Sequence, residues 1–130
     1  DVIDQAFDRA FVAICGNYSE KKAEKYSELA KQIKGIVQEN YHDSSLNSQR
    51  IADMIQMNNA YLGRMFKNSY GRSINDYINT CRLEESMRLL RQTDMSVEEI
   101  AQNVGFSNIK YFYVLFKKLT GITPATYRAG

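Results

Sequence analysis

The chain has 130 residues, of which 44% are hydrophobic, with one proline and no tryptophan. This composition is enough for one ordinary domain with a packed core and excludes a largely disordered chain. No run reaches the roughly 18 apolar residues of a membrane span, and no secretory leader opens the chain, so we expect a cytoplasmic protein without membrane contact. The net charge is +2, but residues 44–130 carry eleven Lys and Arg against seven Asp and Glu. A basic region of this kind favours a polyanionic partner.

Reactive side chains are sparse. Cys15 and Cys81 lie far apart in the sequence and are interpreted as reduced thiols, and His42 is the only histidine. A structural zinc site needs a cluster of Cys and His, and a catalytic triad needs a nucleophile motif beside its histidine. Neither pattern is present, so we expect no enzyme, no catalytic residue, no metal and no cofactor.

The N-terminal part predicts two helices. Residues 2–14 form an apolar helical pattern that ends at the break Gly16-Asn17, and a second amphipathic pattern runs through Leu29 and Ile33 to about Tyr41. We interpret residues 1–28 as a helical linker or the tail of a missing sensor domain, and residues 29–130 as the main domain. The first residue is Asp1 rather than methionine, which we interpret as the sign of a fragment.

An internal repeat organises the main domain. Residues 51–77 align with residues 100–127 when one extra residue is allowed near Asn108. The dipeptide Ile51-Ala52 then matches Ile100-Ala101, and Phe66-Lys67 matches Phe116-Lys117. Two copies are too few for a solenoid and predict two similar subdomains.

Each copy predicts two short helices joined by a tight turn. In the first copy Asn47 or Ser48 caps the leading helix; in the second, Ser96 begins a capping box and Ser107 or Asn108 caps the following helix. The predicted fold is all-α: two helix-turn-helix subdomains joined by a long linker helix, about seven helices plus an N-terminal helical extension. The expected ranges are about 48–70 for the first helix-turn-helix, 74–90 for the linker and 97–119 for the second.

Apolar residues at helical spacing predict two small cores. Ala52 and Ala101 stand where close packing inside a helix-turn-helix favours a small side chain. The remaining candidates for the two cores are Ile51, Ile55, Leu62, Met65 and Phe66, and Ile100, Val104, Phe106, Phe112, Leu115 and Phe116.

A helix-turn-helix holds its second helix outward, where it can enter a major groove about 12 Å wide. The outward faces supply the expected base-contacting residues, which are Asn59, Ala60, Gly63 and Arg64 in the first copy and Ile109, Lys110, Tyr113 and Val114 in the second. The expected phosphate-contacting residues are Ser48, Lys67, Arg72, Lys117 and Lys118.

Several of these assignments have alternatives. Arg64 either bonds guanine bidentately or is a solvated surface arginine. Ile109 and Val114 either touch thymine methyl groups or pack on a neighbouring element. The C-terminal lysines suit both phosphate contact and the helix dipole. A linker of 17 residues spans about 25 Å, so the two outward helices are expected about one DNA turn apart, roughly 34 Å.

The sequence from about Leu29 to Arg128 resembles the AraC family of bacterial transcription regulators. The runs SVEEIAQNVGFSN and YFYVLFKKLTGITPATYR resemble its signature region, and RLEESMRLLRQTD resembles its linker helix. The resemblance implies binding to double-stranded DNA at promoter direct repeats, activation through RNA polymerase, and a sensor or dimerisation domain outside this chain. Gly63 and Val114 depart from the family pattern, which has a polar reader and an arginine at these positions. We therefore expect Arg64 and its helix to dominate specificity, while the second copy anchors through Lys110, Lys117, Lys118 and backbone amides.

One other class of function fits the same pattern. Paired helix-turn-helix units also serve as protein-interaction modules that contact RNA polymerase or another regulator. A steep fall of duplex affinity with salt distinguishes DNA binding from that alternative.

Overall fold

The computed structural model describes the backbone of residues 20–130 and the side chains of residues 27–130. The helix expected at residues 2–14, the break at Gly16-Asn17 and Cys15 lie outside the described residues. Within residues 20–130 the chain forms helices and no strands, so the all-α prediction is confirmed. The helices are α1 (Glu20–Asn40), α2 (Ser48–Met54), α3 (Asn59–Tyr70), α4 (Ile74–Gln92), α5 (Val97–Asn103), α6 (Ile109–Thr120) and α7 (Pro124–Ala129).

The helices belong to two compact units. The described part of the first unit comprises residues 20–39 and Asn47–Tyr77, and therefore α1 up to Glu39, α2, α3 and the first turn of α4. The second unit comprises Asn40–Leu46 and Ile78–Gly130, and therefore the rest of α4 with α5, α6 and α7. Helix α1 runs without interruption across residues 28 and 29, where the sequence predicts a domain boundary. That boundary stays a prediction.

An aromatic cluster anchors the core of the first unit. The ring of Tyr70 lies 5.3 Å from that of Phe66 and 5.1 Å from that of Tyr77, at distances typical of favourable aromatic pairs. The ammonium group of Lys34 lies 4.4 Å from the centre of the Tyr70 ring, so α1 is held to this cluster by a cation–π contact. The other buried apolar residues of this unit include Ile33, Val37, Ile51, Ala52, Leu62, Met65 and Ile74.

The second unit has its own apolar core. Its fully or nearly fully buried residues are Leu83, Leu90, Ile100, Ala101, Val104, Phe106, Phe112 and Phe116. Tyr127 of α7 packs edge-on against Phe116, with 5.6 Å between ring centres, which fastens the last helix to this core. Ala52 and Ala101 are both completely buried, as their small size predicts. Ile55 and Leu115 are half-buried at the core margins.

A buried arginine lies beside the second core. Arg82 of α4 is only 7% exposed. Its Nε donates to the carbonyl oxygen of Tyr41 at 2.7 Å, and its Nη2 donates to that of Asp43 at 2.9 Å. Burial lowers the pKa of the guanidinium, because its charged form loses hydration. These bonds attach the segment Asn40–Leu46 to the second unit, although it precedes the first helix-turn-helix in the chain.

None of the helices within residues 20–130 combines the length and the apolar character that crossing a bilayer requires.

Candidate nucleic-acid interface

The two helix-turn-helix turns have the same construction. In the first, the N–H of Met57 donates to the carbonyl of Ala52 at 2.9 Å; in the second, the N–H of Phe106 donates to the carbonyl of Ala101 at 2.9 Å. The residue before each donor has a positive φ, 56° at Gln56 and 109° at Gly105. This is a helix-ending bond pattern that needs one residue in the left-handed region. The repeat detected in the sequence is therefore a repeat of backbone geometry.

Asparagine caps fix the start of both second helices. The side-chain oxygen of Asn58 accepts from the N–H of Tyr61 at 3.0 Å, and that of Asn108 accepts from the N–H of Tyr111 at 3.2 Å. Each bond satisfies one of the amide groups that a helix leaves without a partner in its first turn. Of the alternatives left by the sequence, Asn108 rather than Ser107 is the cap of α6. The leading helix α2 is capped by Asn47 rather than Ser48.

Helix α3 presents one buried and one open face. Leu62, Met65 and Phe66 are buried, as the sequence predicts. On the opposite face the expected base-contacting residues are accessible: Ala60 and Arg64 are exposed, and Asn59 and Gly63 are half-exposed. A Cβ added at Gly63 would meet no atom within 4 Å, so this glycine lies on open surface and is not required by packing.

The expected base-contacting residues of α6 differ in their exposure to solvent. Lys110 is exposed, Val114 is 64% exposed and Tyr113 is half-buried. Ile109 is half-buried and packs against the apolar core of the second unit. Of the two alternatives for the apolar pair, Ile109 therefore takes the packing role, whereas the Val114 side chain faces solvent.

The expected phosphate-contacting residues occupy different segments. Lys67, Lys117 and Lys118 are exposed in the last turns of α3 and α6. Ser48 is the half-buried first residue of α2, and Arg72 is half-buried just after the end of α3. The three expected phosphate-contacting lysines thus lie on the second helices, whereas Ser48 and Arg72 lie in other segments of the first unit.

The charged residues of the two second helices, α3 and α6, are all basic. Helix α3, with the sequence NAYLGRMFKNSY, has two basic residues and no Asp or Glu. Helix α6, with the sequence IKYFYVLFKKLT, has three lysines and again no Asp or Glu. By contrast, α2 and α5 carry Asp53, Glu98 and Glu99. The cationic surface of each helix-turn-helix therefore lies on its second helix, where a polyanion meets no repelling carboxylate of the same helix.

Two tyrosines that are not among the expected contact residues are exposed on the second helices. Tyr61 is 36% exposed and Tyr111 is 47% exposed, at the same position of α3 and α6. The Nδ2 of Asn79 donates to the hydroxyl of Tyr111 at 3.1 Å, which connects α4 to the first turn of α6. The sequence does contain a signal for them, because the two tyrosines occupy equivalent positions of the internal repeat.

Comparison with known proteins gives a consistent result. The model of a family described as a helix-turn-helix domain matches residues 51–130. The uncharacterized transcriptional regulatory protein YesN of Bacillus subtilis is 45% identical over 78 residues, which are 58% of this chain and 21% of that protein. The chain thus spans about a fifth of the length of this relative.

Solved structures agree. A transcriptional regulator with an AraC-type DNA-binding domain from Chromobacterium violaceum superposes with a TM-score of 0.71 at 26% identity, covering 79% of this chain and 91% of that one. The DNA-binding domain of the global transcriptional factor AdpA, in complex with a target DNA, superposes with a TM-score of 0.71 at 26% identity, covering 77% and 89%. With two capped helix-turn-helix units and a family match over residues 51–130, the chain belongs to the AraC family of bacterial helix-turn-helix DNA-binding transcription regulators.

Proposed function

We propose that this chain binds specific double-stranded DNA sites at promoters, with α3 and α6 each entering a major groove. The observation that carries the proposal is the repeated geometry of an outward helix that has an exposed cationic face and no carboxylate. Lysines at the groove edge neutralise phosphates, while side chains at the centre of the helix face reach base edges. The AdpA domain, solved with a target DNA, lends support by similarity.

Within this proposal Arg64 is the main reader of the first unit. Its side chain is exposed on α3 between Ala60 and Lys67, each about one helical turn away. A guanidinium bonds O6 and N7 of guanine through two parallel hydrogen bonds, which a solvated lysine or alanine does not reproduce. Ala60 and the side-chain-free Gly63 leave room beside it for close approach of the helix to the bases.

The whole binding site is proposed to contain two boxes, read in successive major grooves about one DNA turn apart. Selection of bound duplexes from a random pool tests this layout and identifies the boxes. Two short boxes at that spacing support it, whereas a single box means that one unit makes no base contact.

The assigned roles are tested by variants measured on the selected site. Arg64→Ala should cost about 1–3 kcal/mol of binding free energy and relax preference at one position, and Arg64→Lys should behave similarly despite keeping the charge. Lys110→Ala should weaken all sequences equally and reduce the salt slope by about one. Lys31→Ala, which removes the same charge from an exposed position of α1, is the control and should leave binding unchanged. The assignment is wrong if Lys110→Ala relaxes sequence preference and Arg64→Ala does not.

Salt dependence separates DNA binding from a protein-interaction role. A protein that neutralises several phosphates loses affinity steeply as salt rises. A chain that ignores duplex DNA at low ionic strength but binds RNA polymerase would be an interaction module instead.

We further propose that the full-length protein acts in the bacterial cytoplasm as a transcription activator that contacts RNA polymerase and carries a sensor or dimerisation domain. Residues 1–28 would then be the link to that domain. Support comes from the regulator names of the relatives and from the 21% share of YesN that the chain spans. Transcription in vitro from a promoter with the selected site, with and without the protein, tests the sign of regulation: a decrease would mean repression.

A further inference from the structure

Helix α6 carries an apolar side chain in the middle of a cationic surface. Val114 is 64% exposed, more than any other large hydrophobic residue in the described part of the chain. Lys110, Lys117 and Lys118 lie four residues before it, three after it and four after it, so all three are its neighbours on the helix surface, and all three are exposed. We call these four residues the valine patch.

The chemistry of the valine patch restricts what it binds. Val114 gains from contact with an apolar group, while the lysines around it gain from negative charge at a distance of one helical turn. The major groove offers this combination, because the C5 methyl of thymine projects from the groove floor and phosphates line both rims. From this complementarity, and resting on the proposed DNA-binding function, we infer that Val114 reads a thymine methyl group in the box bound by the second unit.

The repeat adds a second part to the inference. Phe66 and Phe116 are equivalent and completely buried, and two residues before them stand Arg64 and Val114. The same position of the helix therefore carries a guanine-reading side chain in α3 and a methyl-reading side chain in α6. The two boxes of one site should differ at this position, with guanine in the first and thymine in the second. The second unit then contributes specificity as well as phosphate anchoring.

The test removes only the methyl group. In the selected duplex, each thymine of the second box is replaced in turn by deoxyuridine, which lacks the C5 methyl and keeps every hydrogen-bonding group. Wild-type affinity should fall about fourfold at one position, which at 1.36 kcal/mol per tenfold change corresponds to ~0.8 kcal/mol, the value for burying one methyl-sized group. Val114→Ala should bind the thymine duplex more weakly and lose most of the sensitivity to deoxyuridine at that position.

Two further variants complete the design. Leu119→Ala removes a side chain that is 41% exposed on the same helix but lies outside the valine patch, and it should keep the full methyl effect. Val114→Arg introduces the side chain that Arg64 provides at the equivalent position of α3. It should change the base selected at the contacted position of the second box from thymine to guanine. Because position 114 is exposed, neither of its variants disturbs the core, and thermal unfolding monitors this directly.

The outcomes are distinguishable. Equal wild-type binding to thymine and deoxyuridine at every position of the second box overturns the inference and leaves the proposed function intact. An undiminished methyl effect in Val114→Ala also overturns it. If Val114→Ala leaves DNA binding unchanged but weakens binding to RNA polymerase, the patch is a protein contact. Absence of duplex binding by the wild-type chain refutes the proposed function itself.

Discussion

Replacing Gly105 by alanine should destabilise the protein more than the same replacement at Gly35, Gly63 or Gly121. Gly105 forms the turn between α5 and α6 and has φ 109°, outside the range that side chains favour. A Cβ built there lies 2.4 Å from the carbonyl oxygen of Tyr41 and 2.7 Å from Nε of Arg82. Neither neighbour is free to withdraw, because these same two atoms form a 2.7 Å hydrogen bond with each other.

The expected cost has two parts. Forcing an L-residue into the left-handed region costs roughly 1–2 kcal/mol, of which less than about 1 kcal/mol is returned by the stiffer unfolded chain. Inserting a carbon where backbone and a buried guanidinium are already in contact adds about 1–3 kcal/mol. We therefore expect Gly105→Ala to lower the free energy of unfolding by about 2–4 kcal/mol.

Gly121→Ala is the matched control. Gly121 also has a positive φ, 82°, but a Cβ built there meets no atom within 4 Å. This variant carries the backbone cost without the collision and should lose only about 1 kcal/mol. Urea unfolding of both variants and of the wild type, followed by circular dichroism, measures the difference. If Gly105→Ala is no less stable than Gly121→Ala, the close approach of Tyr41 and Arg82 to this turn does not hold in solution.

The remaining predictions concern other backbone positions of the two units. Gly63→Ala should raise the free energy of unfolding by about 1 kcal/mol, because alanine favours the helix and the added Cβ meets no atom within 4 Å; it should also weaken DNA binding, since α3 is proposed to approach the bases closely at this residue. The control is Gly35→Ala in α1, where a Cβ also meets nothing within 4 Å; it should stabilise the protein without changing its affinity for DNA. Equal affinities of the two variants would contradict the proposed role of Gly63. Gln56→Gly should be neutral or stabilising by up to about 1 kcal/mol in urea unfolding, since φ 56° strains a residue with a Cβ; a clear loss of stability would show that the Gln56 side chain is needed. Asn108→Ala should cost about 1 kcal/mol in the same assay through loss of the 3.2 Å cap bond, and an unchanged midpoint would mean that solvent replaces that bond.

The sequence predicted what depends on local signals. Caps and apolar spacing act within a few positions of the chain, so the helix-turn-helix pairs and most core residues were identified from them. The linker helix, expected to end near residue 90, continues to Gln92, within the normal uncertainty of helix ends. Arg82 was missed because the carbonyls that satisfy it lie 39 and 41 residues away, and no local pattern marks an arginine for burial.

The exposure of the residues in the candidate site was predicted only in part, for a related reason. Periodicity assigns Ile109 and Val114 to one face of α6, but Ile109 is the first helical residue, where the chain enters from the turn and the side chain still reaches the core. Only tertiary packing separates this residue from the exposed Val114. The exposure of Tyr61 and Tyr111 was likewise not predicted from the sequence, because aromatic side chains at helical spacing are more often buried than exposed.

The attachment of Asn40–Leu46 to the second unit has a practical consequence for dissecting this protein. A truncated fragment starting at residue 51, where the family match begins, would delete both carbonyls that receive the Arg82 guanidinium and leave a buried cation without acceptors. Such a truncation would damage the C-terminal half of the molecule although every residue of that half is still present. Boundaries for isolating the second helix-turn-helix must therefore be drawn from three-dimensional attachment rather than from where sequence similarity starts.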